Sequence, residues 1–267
     1  MLRVMTWNIR TGGRDRTGPG RLDRVARVVT AQRPDLLAVQ ELRGFDSGDV
    51  LAGFAAEVGM RPYLARSCLG QPVAVLARAP LRVLAAGPVR RPFHHAAVRV
   101  TVATDAGPFT VFAAHLDPYT GLRRRIEAGW LAAAVRRAPG ELALLAGDLN
   151  TLDPGTDHTA RVARLPPAYR RRHLRRDGRT VETRAVARLV AAGLVDLYAA
   201  RGPGDEGLTA PTRHGGGAEF SGMRLDYLFG TRALARLVRS CEVRRGGDTE
   251  YASDHYPVLA ELDLNPA

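Results

Sequence analysis

The chain has 267 residues, of which 45% are hydrophobic and 25% charged, as is usual for a globular protein with a sizeable core. Its net charge is +12, and all 39 basic residues are arginine because the sequence contains no lysine. This charge is consistent with binding to polyanions such as nucleic acid or anionic lipid, and equally with a compositional bias towards arginine.

The N-terminal half predicts mainly strands, with two helices between the first of them. Apolar residues at helical spacing predict helices at 22–32 and 50–58, and Pro34 ends the first of these. Strands are expected at 2–7, 35–39, 73–77, 81–86, 96–103 and 109–114. No apolar run reaches about 18 residues and no leader pattern is visible, so we expect a cytoplasmic protein without a membrane span.

The C-terminal half predicts a long helix, a short one and four more strands. The helix at 122–137 carries Ile126, Trp130, Leu131 and Ala134 on its apolar face, and a second helix is expected at 183–192. Strands are expected at 142–146, 225–229, 238–243 and 258–262. The segment 154–183 has no regular pattern and contains a basic cluster, Arg170–Arg176. Strands that outnumber helices in this order predict two sheets packed face to face with helices outside.

Polar clusters follow or begin several of these apolar runs. They are Thr6–Arg10, Gln40–Glu41, His115–Asp117, Gly147–Asn150, Arg224–Tyr227 and Ser253–His255. A carboxylate, amide or imidazole at the end of a buried strand must be paired, bind a metal or lie in a site. Six such clusters predict strand ends that converge on one polar pocket, with residue types suited to metal-dependent hydrolysis of a phosphate ester.

In their order along the chain, these motifs resemble those of the endonuclease/exonuclease/phosphatase family. That family includes DNase I-like nucleases, abasic-site endonucleases, sphingomyelinases and inositol polyphosphate phosphatases. The resemblance extends from residue 2 to residue 262. It implies one domain over 1–267 with a four-layer α/β sandwich, in which two packed, mainly antiparallel sheets are flanked by helices.

The resemblance also implies a magnesium site, for which Mn²⁺ is an alternative ion. Glu41 is expected to be the main ligand, since Mg²⁺ prefers carboxylate oxygens. Asp254 is expected to add a second carboxylate, directly or through water. Asn8 is expected beside the metal, where it orients Glu41 or Asp148 or contacts the phosphate. Arg10 stands where abasic-site endonucleases have a carboxylate, so we expect it to face the phosphate instead.

The same resemblance assigns the catalytic residues. Asp148 is expected to deprotonate the attacking water, and Asn150 to donate to a phosphate oxygen. An extended chain would point these two side chains the same way, although Gly-Asp-x-Asn is also a turn-forming pattern. His255 is expected to bind phosphate and stabilise the transition state, with Asp226 fixing its tautomer. His115 would protonate the leaving oxygen, as its ordinary pKa of about 6.5 allows.

Several assignments stay open at the level of sequence. Arg124 and Glu127 could brace the predicted helix against the loop after His115 or contact substrate. The Arg170–Arg176 cluster could bind a phosphate backbone or be a solvated charge run. No interleaving of basic and aromatic residues predicts a stacking surface for single strands.

The sequence is compatible with three classes of function. The first hypothesis is a Mg²⁺-dependent phosphodiesterase acting on DNA or RNA. The alternative is a phosphomonoesterase or a lipid or sugar-phosphate hydrolase, acting on a small phosphorylated metabolite. A third hypothesis is a basic binding protein without catalysis, which the complete set of catalytic residue types disfavours. We expect the protein to be a monomer.

Overall fold

The computed structural model describes residues 1–15 and 20–264. The strands are β1 (Leu2–Asn8), β2 (Leu36–Gln40), β3 (Met60–Ala65), β4 (Val73–Arg78), β5 (Val83–Pro88), β6 (Ala96–Thr104), β7 (Gly107–His115), β8 (Leu142–Asp148), β9 (Val195–Asp196), β10 (Asp226–Gly230), β11 (Val238–Val243) and β12 (Val258–Leu262). The helices are α1 (Arg10–Gly13), α2 (Leu22–Gln32), α3 (Val50–Glu57), α4 (Gly121–Val135), α5 (Thr159–Ala163), α6 (Pro167–Arg170), α7 (Arg184–Ala191), α8 (Leu197–Arg201), α9 (Arg232–Arg236) and α10 (Thr249–Ala252), with a 3₁₀ helix at Arg171–His173. Within these described ranges, no helix is long and apolar enough to cross a membrane.

The strands form two six-stranded sheets with the same pattern of parallel and antiparallel pairing. The orders are β11-β12-β1-β2-β4-β3 and β5-β6-β7-β8-β10-β9. Each sheet has one parallel pair, β1–β2 and β7–β8, and its other neighbours are antiparallel. The parallel pairs arise because α2 and α4 serve as crossover connections. The prediction of two mainly antiparallel sheets is confirmed.

The two sheets pack against each other, and helices cover their outer faces. The side chains of β1 point alternately to the two faces of its sheet. Val4 lies in the core between the sheets, while Met5 and Trp7 pack on the other face, towards α2 and α3. On the second sheet, Phe112 and Leu145 pack outward against α4 and α7. The layers therefore run helices, sheet, sheet, helices, which confirms the predicted four-layer sandwich.

Helix α4 differs from its prediction on one face. Ile126, expected in the core, is 43% exposed, whereas Arg124 and Glu127 are fully buried. Glu127 accepts hydrogen bonds from the backbone N–H groups of His94 (2.6 Å) and Asp117 (2.8 Å), and Arg124 Nη1 donates to the carbonyl of Asp117 (3.2 Å). These bonds satisfy buried backbone groups, so they rotate the helix away from the orientation that its apolar pattern favours. The pair is therefore a structural brace.

The elements that sequence analysis missed are short or lie at sheet edges. Strand β3 carries Arg61 and Pro62 and occupies one edge of the first sheet, so it lacks the apolar alternation of a central strand. Helix α8 has five residues and is held by Asp196, whose carboxylate accepts from the backbone of Tyr198 and Ala199. The segment 154–183 contains α5, α6 and the 3₁₀ helix, which are each too short to show a period.

A buried histidine predicts a specific acid sensitivity. Burial, with the nearby guanidinium groups of Arg124 and Arg172, lowers the pKa of His173 to about 3. The unfolded chain, with a histidine pKa of about 6.5, then binds more protons than the folded chain. Stability should therefore fall as pH drops below about 6.5, by up to about 1.4 kcal/mol per pH unit for this group.

The expected result is a shallower loss of stability in His173→Gln than in the wild type over that pH range. Urea unfolding at a series of pH values measures it, and the slope is compared because the substitution also alters packing. His214→Gln, which removes an exposed imidazole, is the matched control and should keep the wild-type slope. If the dependence of unfolding free energy on pH were the same in His173→Gln as in the wild type, His173 would not be the source of the acid sensitivity.

Candidate active site

Strand register places polar residues of three neighbouring strands side by side. His115 at the end of β7 pairs with Asp148 at the end of β8, and Asp148 pairs with Asp226 at the start of β10. Because β7 and β8 are parallel and β10 is antiparallel to β8, all three lie at one edge of the second sheet. Asn8, at the end of β1, reaches this row from the first sheet, with its Nδ2 3.0 Å from Asp148 Oδ2.

The chain turns sharply around Asp148. Gly147 has φ 150°, and a Cβ there would lie 1.9 Å from the carbonyl oxygen of Ala114, so only glycine fits. Asn150 has φ 49°, and its N–H donates to Asp148 Oδ1 at 2.8 Å. The extended conformation predicted for this pair is therefore wrong, and the turn that the same residues allowed is present. Both side chains nevertheless line the same pocket.

One carboxylate oxygen lies at the centre of this arrangement. Asp148 Oδ2 is 3.0 Å from Asn8 Nδ2, 3.4 Å from His115 Nε2 and 3.9 Å from His255 Nε2. Burial alone would raise the pKa of Asp148, but the charges of His255 and His115 outweigh burial and hold the pKa below its ordinary range. A carboxylate that stays ionised and faces a pocket can accept a proton from a bound water.

The second imidazole is held by a carboxylate of its own. His255 Nδ1 lies 2.7 Å from Asp226 Oδ2, which leaves Nε2 directed at Asp148. Burial would lower the pKa of His255, but the carboxylates of Asp226 and Asp148 outweigh it and raise the pKa well above its ordinary value. Trp7 Nε1 donates to the carbonyl of His255 at 2.8 Å, which anchors its loop to β1.

His115 lies between Asp148 and a second histidine. Burial would lower its pKa, but the hydrogen bond and charge of Asp148 raise the pKa above its ordinary value. The ring of His95 stacks on His115 with centroids 3.9 Å apart, and Gln71 N donates to His95 Nδ1 at 2.8 Å. Burial and the charge of His115 lower the pKa of His95 to about 2, so a neutral imidazole supports a protonated one.

Backbone strain is concentrated at this site. Five described residues other than glycine have positive φ, and four of them, Arg10, Thr11, Glu41 and Asn150, line the pocket. The strain directs N–H groups inward, since Thr11 N donates to Glu41 Oε2 at 2.8 Å. Such conformations cost of order 1 kcal/mol each and persist where the surrounding structure imposes them, often at functional sites.

Glu41 and Asp254 are two further carboxylates at the surface of the pocket. Both line the pocket, and burial, with the negative charges of Glu41 and Glu219, raises the pKa of Asp254 to about 6. Carboxylates that repel each other in a buried pocket are a donor set that fits Mg²⁺. Asn8 Nδ2 donates to Glu41 Oε1 at 3.1 Å while Asn8 Oδ1 accepts from Arg10 N, so Asn8 links Glu41 to Asp148 in this conformation.

A second group of donors could also be considered for a metal. Oxygen and nitrogen atoms of Asp148, Asp226 and His255 lie within 4.8 Å of one another. However, Asp226 Oδ2 and His255 Nδ1 are hydrogen-bonded at 2.7 Å, and a cation bound by both atoms would displace the proton that joins them. The Asp226–His255 pair is thus bonded within the protein, whereas Glu41 and Asp254 offer further carboxylate oxygens to the pocket.

The pocket has a volume of about 410 Å³ and brings together most of the predicted residues. Its lining includes Arg10, Glu41, His115, Asp148, Asn150, Asp254 and His255. Asn8 and Asp226 are buried and bonded to this lining from behind.

Comparison with known proteins agrees with this geometry. The model of the endonuclease/exonuclease/phosphatase family matches residues 5–255. The chain belongs to this family. Members of the family are phosphoester hydrolases that generally depend on divalent metal ions, and the protein is accordingly a phosphoester hydrolase. No curated protein sequence matches the chain significantly.

Solved structures with this fold include an AP endonuclease from Archaeoglobus fulgidus, with TM-score 0.72 and 19% identity, covering 98% of this chain and 100% of that one. A 3′ phosphatase from Neisseria bound to product DNA hairpin has TM-score 0.70 and 18% identity, covering 98% and 100%. A mannosyl-6-phosphatase from Bacteroides thetaiotaomicron has TM-score 0.66 and 18% identity, covering 98% and 99%. At these identities the likeness shows the fold shared by family members.

Sequence analysis missed several residues of the family site. Gln71 Nε2 donates to Glu41 Oε2 at 2.8 Å, and the ring of Phe220 meets His255 edge to face at 5.0 Å. Arg43 adds positive charge to the pocket, as does Arg172 of the basic cluster Arg170–Arg176, and His95 supports His115. The basic cluster and the adjacent histidines at 94–95 were visible signals, whereas Arg43, Gln71 and Phe220 come from loops without a distinguishing pattern.

Proposed function

We propose that the protein is a Mg²⁺-dependent phosphodiesterase that cleaves nucleic acid by in-line attack of a water activated by Asp148. The observation that carries this proposal is the placement of two imidazoles, from His115 and His255, beside one oxygen of a buried, ionised Asp148. A base flanked by two cationic acids suits a reaction in which water loses a proton and the leaving alkoxide gains one.

Each residue has a distinct proposed role in the reaction. Asp148 orients the water and takes its proton. His255, held by Asp226, donates to a non-bridging phosphate oxygen and stabilises the charge of the pentavalent transition state. Asn150 donates to the phosphate through its amide, and His115 protonates the leaving oxygen. Proton donation matters most for an alkoxide leaving group, because an alkoxide is unstable at neutral pH.

Glu41 and Asp254 are the residues proposed to hold Mg²⁺, and Mn²⁺ is an alternative. The bound ion supplies neutralisation of the phosphate charge. Asn8, through its two hydrogen bonds, keeps the metal carboxylate and the catalytic base in fixed relation. A direct contact of Asn8 with the ion stays a prediction. Arg10 is proposed to face the phosphate, because it lines the pocket with its Nε 3.8 Å from Asp254 Oδ2.

A second candidate function is hydrolysis of a small phosphomonoester or of a lipid or sugar phosphate. It is favoured by the pocket itself, whose volume of about 410 Å³ is in the range of small-molecule sites. Arg10, Arg43 and Arg172 in its lining could hold a terminal phosphate dianion. The two candidate functions use the same hydrolytic chemistry. They differ in the group to which the reacting phosphate is attached, a nucleic-acid chain in the first and a small metabolite or lipid in the second.

Incubation of supercoiled plasmid with purified protein and Mg²⁺ tests the proposal. Nicking that disappears with EDTA and in Asp148→Asn supports a nuclease. Absence of nicking by folded wild-type protein, together with release of phosphate from a panel of sugar phosphates and other monoesters, would replace the first candidate by the second.

The Asp226–His255 pair predicts a shift in pH dependence. Asp226→Asn removes a negative charge that raises the pKa of His255, so His255 should lose its proton at lower pH. Because the cation is the form that stabilises the transition state, the alkaline limb of the kcat/KM profile should move to lower pH. The loss of activity should be about 10- to 100-fold at pH of about 8 and smaller at pH of about 6. An equal loss at all pH values would indicate a purely structural role.

A further inference from the structure

A second cavity, of about 1060 Å³, adjoins the catalytic pocket. It lies between the first turns of α4 and the segment 167–184, and we call it the arginine groove. Tyr119 lines both cavities, and Arg172, which lines the catalytic pocket, places its guanidinium 5.5 Å from the ring of Tyr119 and 4.7 Å from that of Tyr169. The groove therefore begins where the catalytic pocket ends.

Positive charge predominates in the arginine groove. Its lining has two acidic residues, Asp177 and Glu182, against six arginines: Arg123, Arg170, Arg171, Arg175, Arg176 and Arg184. Both acidic side chains are engaged locally, since Asp177 Oδ1 accepts from the backbone of Arg179 and Thr180 at 2.9 Å and Glu182 pairs with Arg184. Glu182 therefore offsets Arg184, and the single charge of Asp177, which acts on nearby Arg175, is left against the other five arginines of the lining.

The arginines of this segment divide into two kinds. Arg170 Nη2 donates to the carbonyls of Ala163 (2.7 Å) and Leu165 (3.0 Å), so it stabilises the local fold. The exposed guanidinium groups of Arg171, Arg175 and Arg176 donate no hydrogen bond to any residue in 1–15 or 20–264. Three like charges lining one cavity repel each other, and binding of an anion relieves that repulsion.

The floor of the arginine groove is apolar and accessible. Leu122 is 47% exposed, Ile126 43% and Tyr119 55%, although residues of these types are usually more deeply buried. A cavity that combines an excess of guanidinium groups with aliphatic and aromatic surface fits a ligand in which phosphates alternate with flat, weakly polar rings. Single-stranded nucleic acid has this chemistry, because its unpaired bases can stack on side chains while arginines follow the backbone.

We propose that the arginine groove binds the single-stranded segment that flanks the scissile phosphate of a nucleic-acid substrate. Arg171, Arg175 and Arg176 contact its phosphates, and Tyr119, with the apolar floor, contacts its bases. This assignment rests on the proposed nuclease function and adds the strand preference and the residues that determine it. One arginine, Arg172, and two tyrosines, Tyr119 and Tyr169, come together in the fold although the sequence shows no interleaved pattern.

Binding of a fluorescent single-stranded oligonucleotide of about 12 nucleotides, measured by anisotropy, tests the proposal. In an Asp148→Asn parent, the substitutions R171Q, R175Q and R176Q together should weaken binding about 10- to 100-fold and lower the slope of log K against log salt by about 2, because each single-strand phosphate contact contributes about 0.7. The control, R136Q with R137Q and R232Q, removes the same charge from exposed positions at the opposite edge of the sheet and should bind like the parent.

In the active enzyme, the same three groove substitutions should raise KM for the oligonucleotide and leave turnover of bis(p-nitrophenyl) phosphate unchanged. Equal weakening by the groove and control variants would show that total charge explains binding and would overturn the assignment. Binding of phosphatidylserine vesicles through these arginines, without oligonucleotide binding, would overturn it in favour of a lipid surface. Groove-dependent oligonucleotide binding by a wild-type protein that cleaves no nucleic acid would support the groove and contradict the proposed nuclease function.

Discussion

Asp148→Asn is expected to lower the turnover of phosphoester substrate by at least about 10³-fold, because it removes the base that accepts the proton of the attacking water. The fold should be kept, since an amide oxygen can still accept from Asn150 N, as Asp148 Oδ1 does at 2.8 Å. Binding of the substrate should be retained, because the loss of one negative charge favours an anion in the pocket. Single-turnover kinetics and oligonucleotide binding measure the two effects separately.

Asp157→Asn is a closely matched control for this prediction. Asp157 also closes a turn, in which its Oδ1 accepts from Thr159 N at 2.9 Å, but it is exposed and outside the pocket. It should keep wild-type turnover. If Asp148→Asn were as active as Asp157→Asn, another group would have to be the base.

Glu41→Gln is expected to raise the Mg²⁺ concentration that gives half-maximal activity by at least about 10-fold, with turnover partly recovered at high Mg²⁺. The substitution keeps the size of the side chain and an oxygen that can accept from Thr11 N, but it removes the negative charge that attracts the ion. Titration of activity with Mg²⁺ measures the change in the half-maximal Mg²⁺ concentration during catalysis. Calorimetric titration of the protein with Mg²⁺ alone measures the change in Mg²⁺ affinity independently of catalysis.

Glu141→Gln provides the comparison for charge, because Glu141 is exposed and precedes β8 at the edge opposite Asp148. It should not alter the Mg²⁺ dependence. An unchanged Mg²⁺ dependence in folded Glu41→Gln would refute the assignment of Glu41 as a ligand and would direct attention to Asp254 alone.

The parts of the fold that were predicted correctly are those with a strong local pattern. Helix α2 and strands β11 and β12 have the predicted bounds. Apolar residues recur along α2 at helical spacing, and the two strands are short runs rich in apolar residues. Strand β3 and helices α8, α9 and α10 were missed, since pairing at an edge or a few capping hydrogen bonds stabilise them instead. Ile126 was placed in the core on periodicity, and the buried bonds of Arg124 and Glu127 decided otherwise.

The sequence by itself determined which residue types stand at the ends of the strands. Asn8, Glu41, His115, Asp148 and Asp226 could be identified because a polar side chain beside a buried strand has few stable environments. That signal is local, so it needs no knowledge of neighbouring strands. Taken with the order of the predicted strands and helices and with the resemblance to the endonuclease/exonuclease/phosphatase family, it predicted the layered fold and the chemistry of a phosphoester hydrolase.

Only the tertiary structure decided how these groups act on one another. Strand register and the packing of the two sheets place His115 and His255 beside the same oxygen of Asp148. Packing of the 167–184 segment against α4 likewise places Arg171 and Arg176 in the lining of the arginine groove. Arg170 instead donates hydrogen bonds to backbone carbonyl groups of the preceding segment. These relations join residues far apart in the chain, and their geometry depends on the whole arrangement of sheets and helices, which no local pattern encodes.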